Sequence, residues 1–365
     1  MAGRRVIKHI LPILSIAFLL AAPFTYSMPL HRSTSPAQAS LDPGIAWVTE
    51  PLSMVFDQIQ NRIIGLIPGN YSEPSSTEYS TMSKVFSLID TGIANSNAAS
   101  IRDASSVASQ INYQLLPVND SSTGNGYYVL MESTTVNRGW GSYMFPAEKN
   151  PSIQVIIEAP HPVTDFNSQE IAYSIFTSSY PLVNALLVSG VERTVGANGQ
   201  TDMAHVTRSI FETAHETFTG FGSVAIQIHS FSAFLHPQEP LVVLSSGDGG
   251  LNGALQSIAQ TLESSKLSVG IFDGFQHERL GAQDNVQGRY ARAFGAGFVH
   301  GEISSTVVYN ATLISRLESS FIDSVMNGFR FPAYQIDLKI PAIGLGIIGL
   351  FYFASFRLSK TKAKL

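Results

Sequence analysis

Short runs of apolar residues alternate with helix-like stretches through the second half of the chain. The apolar runs lie at 154–157, 185–188, 224–228, 241–244, 267–272 and 297–303. Apolar residues spaced three and four apart predict helices over 167–180, 205–218, 252–264 and 304–328. Strands that are apolar throughout are typical of a sheet covered on both faces. The pattern therefore predicts an α/β fold of three layers, α/β/α, around a mostly parallel mixed sheet.

The first half of the chain has a different pattern. An amphipathic helix is predicted over 47–67, and one or two further helices between Ser80 and about Leu116. Two alternating segments rich in Gly and aromatic residues follow, at 127–132 and 139–145. Such segments favour strands, and we expect these two to pair as a hairpin at the edge of the sheet.

Both ends of the chain carry long apolar segments. Residues 1–30 begin with basic residues and then run apolar from 10 to 22, which predicts a signal peptide or, if uncleaved, an N-terminal anchor. A linker rich in Ser, Pro and Ala follows over 31–45. Near the other end, 340–356 holds 17 residues without a charge. We interpret it as a transmembrane helix, with a buried core helix as the alternative.

The charges beside the second apolar segment indicate its orientation. The tail 357–365 holds four basic residues, and basic residues favour the cytoplasmic side of a membrane. We therefore expect a single-pass protein of the cell membrane, bound to lipid through 340–356, with 46–335 as an extracytoplasmic domain. The tripeptide sequons for glycosylation at Asn70, Asn119 and Asn310 all lie within that domain, which gives mild support to export because such tripeptides also arise by chance.

The composition of the chain limits the partners it can bind and the kinds of active site it can form. Charged residues make up 13% of the chain, about half the usual share, which agrees with long segments away from water. The net charge of −5 argues against a nucleic-acid partner. The absence of cysteine excludes disulfides and thiol nucleophiles. A metal site in this chain must therefore use His, Asp and Glu.

Histidines stand where two of the predicted strands end. His161 follows one apolar run, His229 ends another, and Asp165 lies four residues after His161. The carboxyl ends of parallel strands meet at one edge of a sheet, where ligands bind. Two histidines and one carboxylate, with one position left open, are a typical catalytic zinc set. The alternative is that each histidine is an ordinary hydrogen-bonded residue.

Further candidates surround this set. Glu302 lies two residues after His300, on the same face of a strand, where a carboxylate can take and return a proton. The polar loop 280–290 contains Asn285 and Arg289, which we predict to bind substrate because arginine grips carboxylates with two hydrogen bonds. Arg193 and His205 are weaker candidates for the same task, and His205 is expected on a helix.

The order of these residues along the chain is a histidine with an acid four residues later, a second histidine, a loop with Asn and Arg, and then a glutamate. In this order the chain resembles the zinc carboxypeptidase-like superfamily, in particular the N-formylglutamate amidohydrolase and poly-γ-glutamate hydrolase groups. The resemblance covers roughly 125–310. It implies that His161, Asp165 and His229 bind zinc, that Arg289 holds a substrate carboxylate, and that Glu302 is the general base or acid. Two features depart from the family pattern. The acidic residue Asp165 follows His161 by four positions, and Asn285 and Arg289 are not adjacent.

Together these features predict a membrane-anchored, extracytoplasmic, zinc-dependent hydrolase of the amidohydrolase or carboxypeptidase-like kind. It would cleave an amide or peptide bond in a substrate that bears a carboxylate, such as a peptide, an N-acyl amino acid or a wall-like polymer. The alternative is a cell-surface binding or envelope protein that uses the same fold without catalysis. The absence of a G-x-S-x-G motif disfavours a serine hydrolase.

Overall fold

The computed structural model describes residues 46–64, 71–148, 150 and 154–329. The predicted signal segment 1–30, linker 31–45, transmembrane helix 340–356 and tail 357–365 lie outside the described residues, as does Asn70. Within the described part of the chain, no helix combines the length and the apolar character needed to cross a membrane.

Ten strands form one mixed sheet across the described residues. The strands are β1 (Val48–Glu50), β2 (Tyr113–Asp120), β3 (Gly126–Glu132), β4 (Ser142–Pro146), β5 (Val155–Ala159), β6 (Val183–Val188), β7 (Val224–Phe231), β8 (Val242–Ser245), β9 (Val269–Ile271) and β10 (Gly297–Ser304). Their order across the sheet is β1-β2-β3-β4-β6-β5-β7-β10-β8-β9. Five of the nine pairings are parallel, which confirms the predicted mixed and mostly parallel sheet.

Helices cover both faces of this sheet. They are α1 (Leu52–Gln60), α2 (Ser76–Ala94), α3 (Ala98–Ser109), α4 (Ser168–Ser178), α5 (Ile210–Phe218), α6 (Gly253–Ser264), α7 (Val286–Ala293), α8 (Ser305–Val308) and α9 (Ala311–Met326). Neighbouring residues of β5 enter different cores: Val155 and Ile157 pack with one hydrophobic cluster, and Ile156 packs with the other. Because successive strand residues point to opposite faces, each face has its own apolar core. The predicted α/β class is confirmed.

Several predicted boundaries are wrong in the first half. The helix predicted over 47–67 starts only at Leu52, because β1 precedes it and adds a strand beside β2. The region 80–116 holds α2, α3 and the start of β2, with Asn97 capping α3 through its side chain. The segments at 127–132 and 139–145 pair antiparallel as predicted, in β3 and β4, but not at the edge, since β2 and β1 continue the sheet.

Two further differences affect the site. The loop predicted over 280–290 contains the start of α7, whose first turn is capped when the Asn285 Oδ1 accepts from the Gly288 N–H at 2.8 Å. His205 is not helical, because α5 begins at Ile210 after the Ser209 side chain caps it. His205 therefore lies in a loop, where its direction is set by its hydrogen bonds.

Candidate metal centre

The parallel ladder β5–β7–β10 brings the predicted site residues together. His161 lies two residues beyond the end of β5, and His229 lies within β7. Glu302 of β10 is directly opposite His229 in the parallel register, and His300 is opposite Gln227. Residues in register on adjacent strands point to the same face of a sheet. The ladder thus collects polar side chains from consecutive strands at one edge.

Three atoms that can bind a metal converge at this edge. The Nδ1 atoms of His161 and His229 are 3.2 Å apart, and the Oδ2 of Asp165 lies 3.3 Å from the first and 2.6 Å from the second. All three side chains are buried. They form one of two groups in the described residues that could hold a metal ion; the other consists of His229, His300 and Glu302.

The second ring nitrogen of each histidine is held by an acceptor. His161 Nε2 donates to Asp202 Oδ1 at 2.8 Å, and His229 Nε2 donates to Gln227 Oε1 at 2.8 Å. A histidine that donates from Nε2 presents Nδ1 as its metal-binding atom, and metal-binding histidines usually have such an outer partner. Both rings therefore direct Nδ1 to the same point, in the orientation of metal ligands.

The electrostatics of the three groups agree with this arrangement. Burial would raise the pKa of Asp165, but hydrogen bonds from both histidines outweigh it and hold that pKa well below its usual range. Burial lowers the pKa of His229. For His161 burial acts in the same direction, yet hydrogen bonds to Asp165 and Asp202 raise its pKa overall. A metal ion would replace the proton that His161 Nδ1 holds against Asp165.

These residues fit zinc. In a tetrahedral site with ligand bonds of about 2.0–2.1 Å, two ligand atoms lie about 3.3 Å apart. The two separations that involve His161 Nδ1, 3.2 and 3.3 Å, match that spacing. The third, 2.6 Å between His229 Nδ1 and Asp165 Oδ2, is a hydrogen-bond distance and would have to lengthen for both atoms to bind one ion. One carboxylate and two neutral imidazoles leave a fourth position for water or substrate, as catalytic zinc sites do.

Asp202 is an outer partner that the sequence did not indicate. Its Oδ1 accepts from His161 Nε2 and, at 2.9 Å, from His205 Nδ1, while its Oδ2 accepts from Arg193 at 2.9 Å. Burial would raise the pKa of Asp202, but its hydrogen bonds with the two histidines hold it well below the usual range. The three-residue spacing to His205 was a usable signal, but only the fold brings Asp202 to His161.

A cavity of about 480 Å³ opens beside the candidate ligands. Glu302 lines it and is directed at the site, with its Oε1 3.7 Å from His300 Nε2. Its Oε2 is buried without a hydrogen-bond partner among the described residues. Burial and the neighbouring Asp165 raise the pKa of Glu302 to about 8. His300 also lines the cavity, with its ring centroid 4.3 Å from that of His229, and burial holds its pKa well below the usual value.

The predicted substrate-binding residues lie in different places. Arg193 and His205 line the cavity, although both also bind Asp202. Asn285 lines it too, but its side chain caps α7 and donates to Gln227. Arg289 does not line the cavity: its side chain is half exposed, 3.8 Å from Asp284. The arginine that the loop 278–285 adds to the cavity is Arg279.

The local structure explains the position of Arg289. It is the fourth residue of α7, whose first turn begins at Val286 and buries Val286, Gln287 and Gly288. The next helical position turns outward, away from this buried face. Arg279 lies in a short turn of 3₁₀ helix, Glu278–Leu280, which projects at the rim of the cavity. Both arginines are present in the sequence, but no sequence pattern indicated which of the two lines the cavity.

Comparisons with known proteins give no family. No family model matches the chain, and no curated protein does. Solved structures that it resembles include a bacteriophage poly-gamma-glutamate hydrolase, at 15% identity and a TM-score of 0.34, covering 49% of this chain and 84% of that one.

Two further structures show the same level of likeness. An aspartoacylase family protein from Mesorhizobium loti is 8% identical, with a TM-score of 0.33, over 54% of this chain and 66% of its own. A protein from Shewanella amazonensis that is provisionally named a metallopeptidase is 11% identical, with a TM-score of 0.35. The match covers 63% of this chain and 92% of that one. At these values none of the three assigns this chain a family or an activity.

Proposed function

We propose that this protein is a zinc-dependent hydrolase that cleaves an amide or peptide bond. One observation carries the proposal: two imidazole Nδ1 atoms and one carboxylate oxygen converge within 2.6–3.3 Å, while each histidine donates its other nitrogen to an outer acceptor. This donor set, with an open position beside a cavity, is that of catalytic zinc. Bound zinc would supply Lewis-acid activation of the scissile carbonyl and of water.

Glu302 is the proton acceptor in this proposal. It lines the cavity next to the candidate ligands, and its Oε2 has no competing hydrogen bond among the described residues. A carboxylate in that position can remove a proton from attacking water and deliver it to the leaving nitrogen. Its poorly solvated surroundings make it a stronger base than an exposed glutamate.

Arginine side chains favour a substrate that bears a carboxylate. Arg279 and Arg193 both line the cavity, and a guanidinium binds a carboxylate with two parallel hydrogen bonds. Peptides, N-acyl amino acids and wall-like polymers carry such groups. We place the reaction outside the cytoplasm, on a membrane-anchored chain, on the basis of the apolar segments at 10–22 and 340–356.

The test uses the purified full chain and a panel of acidic N-acyl amino acids and short peptides. We expect about one zinc per chain, lost in His161→Ala, and hydrolysis of at least one member of the panel. Glu302→Gln should keep the zinc and slow hydrolysis by about 10²–10⁴-fold. Glu278→Gln is the matched control, since this exposed glutamate lines the same cavity.

Three results would contradict the proposal. A chain that binds no zinc lacks the metal centre. Full hydrolysis by Glu302→Gln would remove that residue from the reaction. Zinc binding without hydrolysis of any member of the panel would favour the alternative, a non-catalytic cell-surface or envelope protein on the same fold.

A further inference from the structure

The outer partner of His229 is the side-chain amide of Gln227, which, unlike a carboxylate, can both donate and accept hydrogen bonds. Gln227 lies two residues before His229 on the same face of β7, and it is completely buried. An amide can present either its oxygen or its NH₂ group on a given side. With the oxygen toward His229, the ring keeps its proton on Nε2. With the NH₂ group there, Nε2 must accept, and the proton moves to Nδ1.

A buried carboxylate decides between these two orientations. Gln227 Nε2 lies 3.0 Å from Glu158 Oε2, on β5, and Glu158 is also completely buried. The NH₂ group of Gln227 donates to this carboxylate oxygen, so the amide oxygen faces His229. Asn285 reinforces the same orientation, because its Nδ2 donates to Gln227 Oε1 at 2.5 Å.

Glu158 in turn has a buried partner of its own. His215, on α5, donates from Nδ1 to Glu158 Oε1 at 2.6 Å, and neither side chain is accessible to water. Burial would lower the pKa of His215, but the adjacent carboxylate outweighs it and raises that pKa. A buried carboxylate needs such a donor, since an unpaired buried charge is strongly unfavourable.

We propose that Glu158 is a positioning residue of the metal centre that acts through Gln227 on His229. The carboxylate holds the amide, and the amide oxygen accepts from the Nε2–H of the ring, which directs Nδ1 toward the metal position. Asn285 and Gln287 also bond to the amide, so loss of Glu158 would remove one of the three contacts that keep the amide oxygen toward His229. This inference rests on the proposed metal site. It extends the site outward by two hydrogen bonds, from His229 to Gln227 and from Gln227 to Glu158.

The experiment is a double-mutant cycle on the zinc affinity of the full chain, with Glu158→Gln, Gln227→Met and the double variant. Gln227→Met should weaken zinc binding by about 10–100-fold, the usual effect of losing an outer partner. Glu158→Gln should weaken it by a smaller factor, because Glu158 acts through the amide. The double variant should bind zinc as Gln227→Met does, because Glu158 has no route to His229 once the amide is gone. Glu216→Gln is the control: Glu216 lies next to His215 on α5 but is exposed, and its variant should keep the affinity of the unchanged chain.

A second measurement follows the hydrogen bond itself. Nitrogen-15 NMR of the zinc-loaded, unsubstituted chain should show a His229 Nε2–H that exchanges slowly with water, and in Glu158→Gln this proton should exchange faster. Fast exchange of this proton in the unsubstituted chain, additive losses in the double variant, or unchanged zinc affinity in Glu158→Gln would each overturn the inference. If the unsubstituted chain binds no zinc, the proposed function fails first; if it binds zinc and the cycle is additive, only this inference fails.

Discussion

His161 and His229 face each other with their Nδ1 atoms 3.2 Å apart, although 68 residues separate them in the chain. Neither atom has another partner in the described structure except Asp165 Oδ2, which both approach. Two imidazole lone pairs and a carboxylate oxygen this close repel one another unless a proton or a metal cation lies between them. The arrangement is therefore one that a cation stabilises.

Removal of the metal should lower the stability of the protein. A ligand that binds only the folded state stabilises it by about 2.7 kcal/mol when its concentration is 100 times its Kd. We expect a chelator to lower the Tm of the zinc-loaded chain and added zinc to restore it. In His161→Ala the chelator should change nothing. A Tm that does not respond to chelator in the unsubstituted chain would argue against a metal at this site.

Asp202 should control metal affinity from outside the ligand set. Asp202→Ala removes the acceptor for His161 Nε2, so the ring loses its fixed orientation. We expect zinc to bind about 10–100-fold more weakly, as measured by competition with a chromophoric chelator. Asp284→Ala, at an exposed aspartate of the cavity rim, should bind zinc as before. Equal affinities for the two variants would show that Asp202 does not act on the site.

Arg279 and Arg289 should differ in their effect on substrate binding. Arg279→Ala removes a guanidinium that lines the cavity, whereas Arg289→Ala removes one that does not. With an acidic N-acyl amino acid that the protein hydrolyses, we expect Arg279→Ala to raise KM about tenfold, corresponding to about 1.4 kcal/mol. Arg289→Ala should leave KM unchanged. The reverse result would mean that α7 turns Arg289 into the site when substrate binds.

Glu212 should make stability depend on pH. Burial and its acidic neighbours raise the pKa of this carboxyl to about 7, from 4.5 for an ordinary glutamate. The folded chain then keeps a proton that the unfolded chain loses, so the stability contributed by Glu212 is complete below pH 4.5 and is lost as the pH rises through 7. Relative to the unsubstituted chain, Glu212→Gln should gain up to about 3 kcal/mol between pH 4.5 and pH 8.

Urea unfolding at both pH values measures this difference. Glutamine still offers an oxygen to Gln287 Nε2, which lies 2.6 Å from Glu212 Oε2, so the substitution changes charge more than contacts. Glu216→Gln, on the exposed side of α5, is the control and should follow the unsubstituted chain. A constant difference between Glu212→Gln and the unsubstituted chain at both pH values would mean that Glu212 has an ordinary pKa.

The sheet was largely predictable because its strands are apolar on both faces. The runs at 154–157, 185–188 and 224–228 overlap β5, β6 and β7, since two buried faces require continuous apolar sequence. β2 was not predicted as a strand because its apolar residues continue the helical spacing of α3. α7 was missed because the Gln, Gly and Arg of its first turn are typical of a loop, and it is the Asn285 cap that begins the helix.

By itself, the sequence determined the class of fold and the three residues whose donor atoms converge. Apolar runs fix strands locally, and His161 and His229 stand at strand ends, which a parallel sheet must bring to one edge. Only the tertiary structure decided which groups surround them. Asp202, Gln227 and Glu158 reach the site through loop paths and strand register, and Arg279 replaces Arg289 at the cavity through the direction of one helix. Such partners depend on contacts between distant segments, and no local pattern records those contacts.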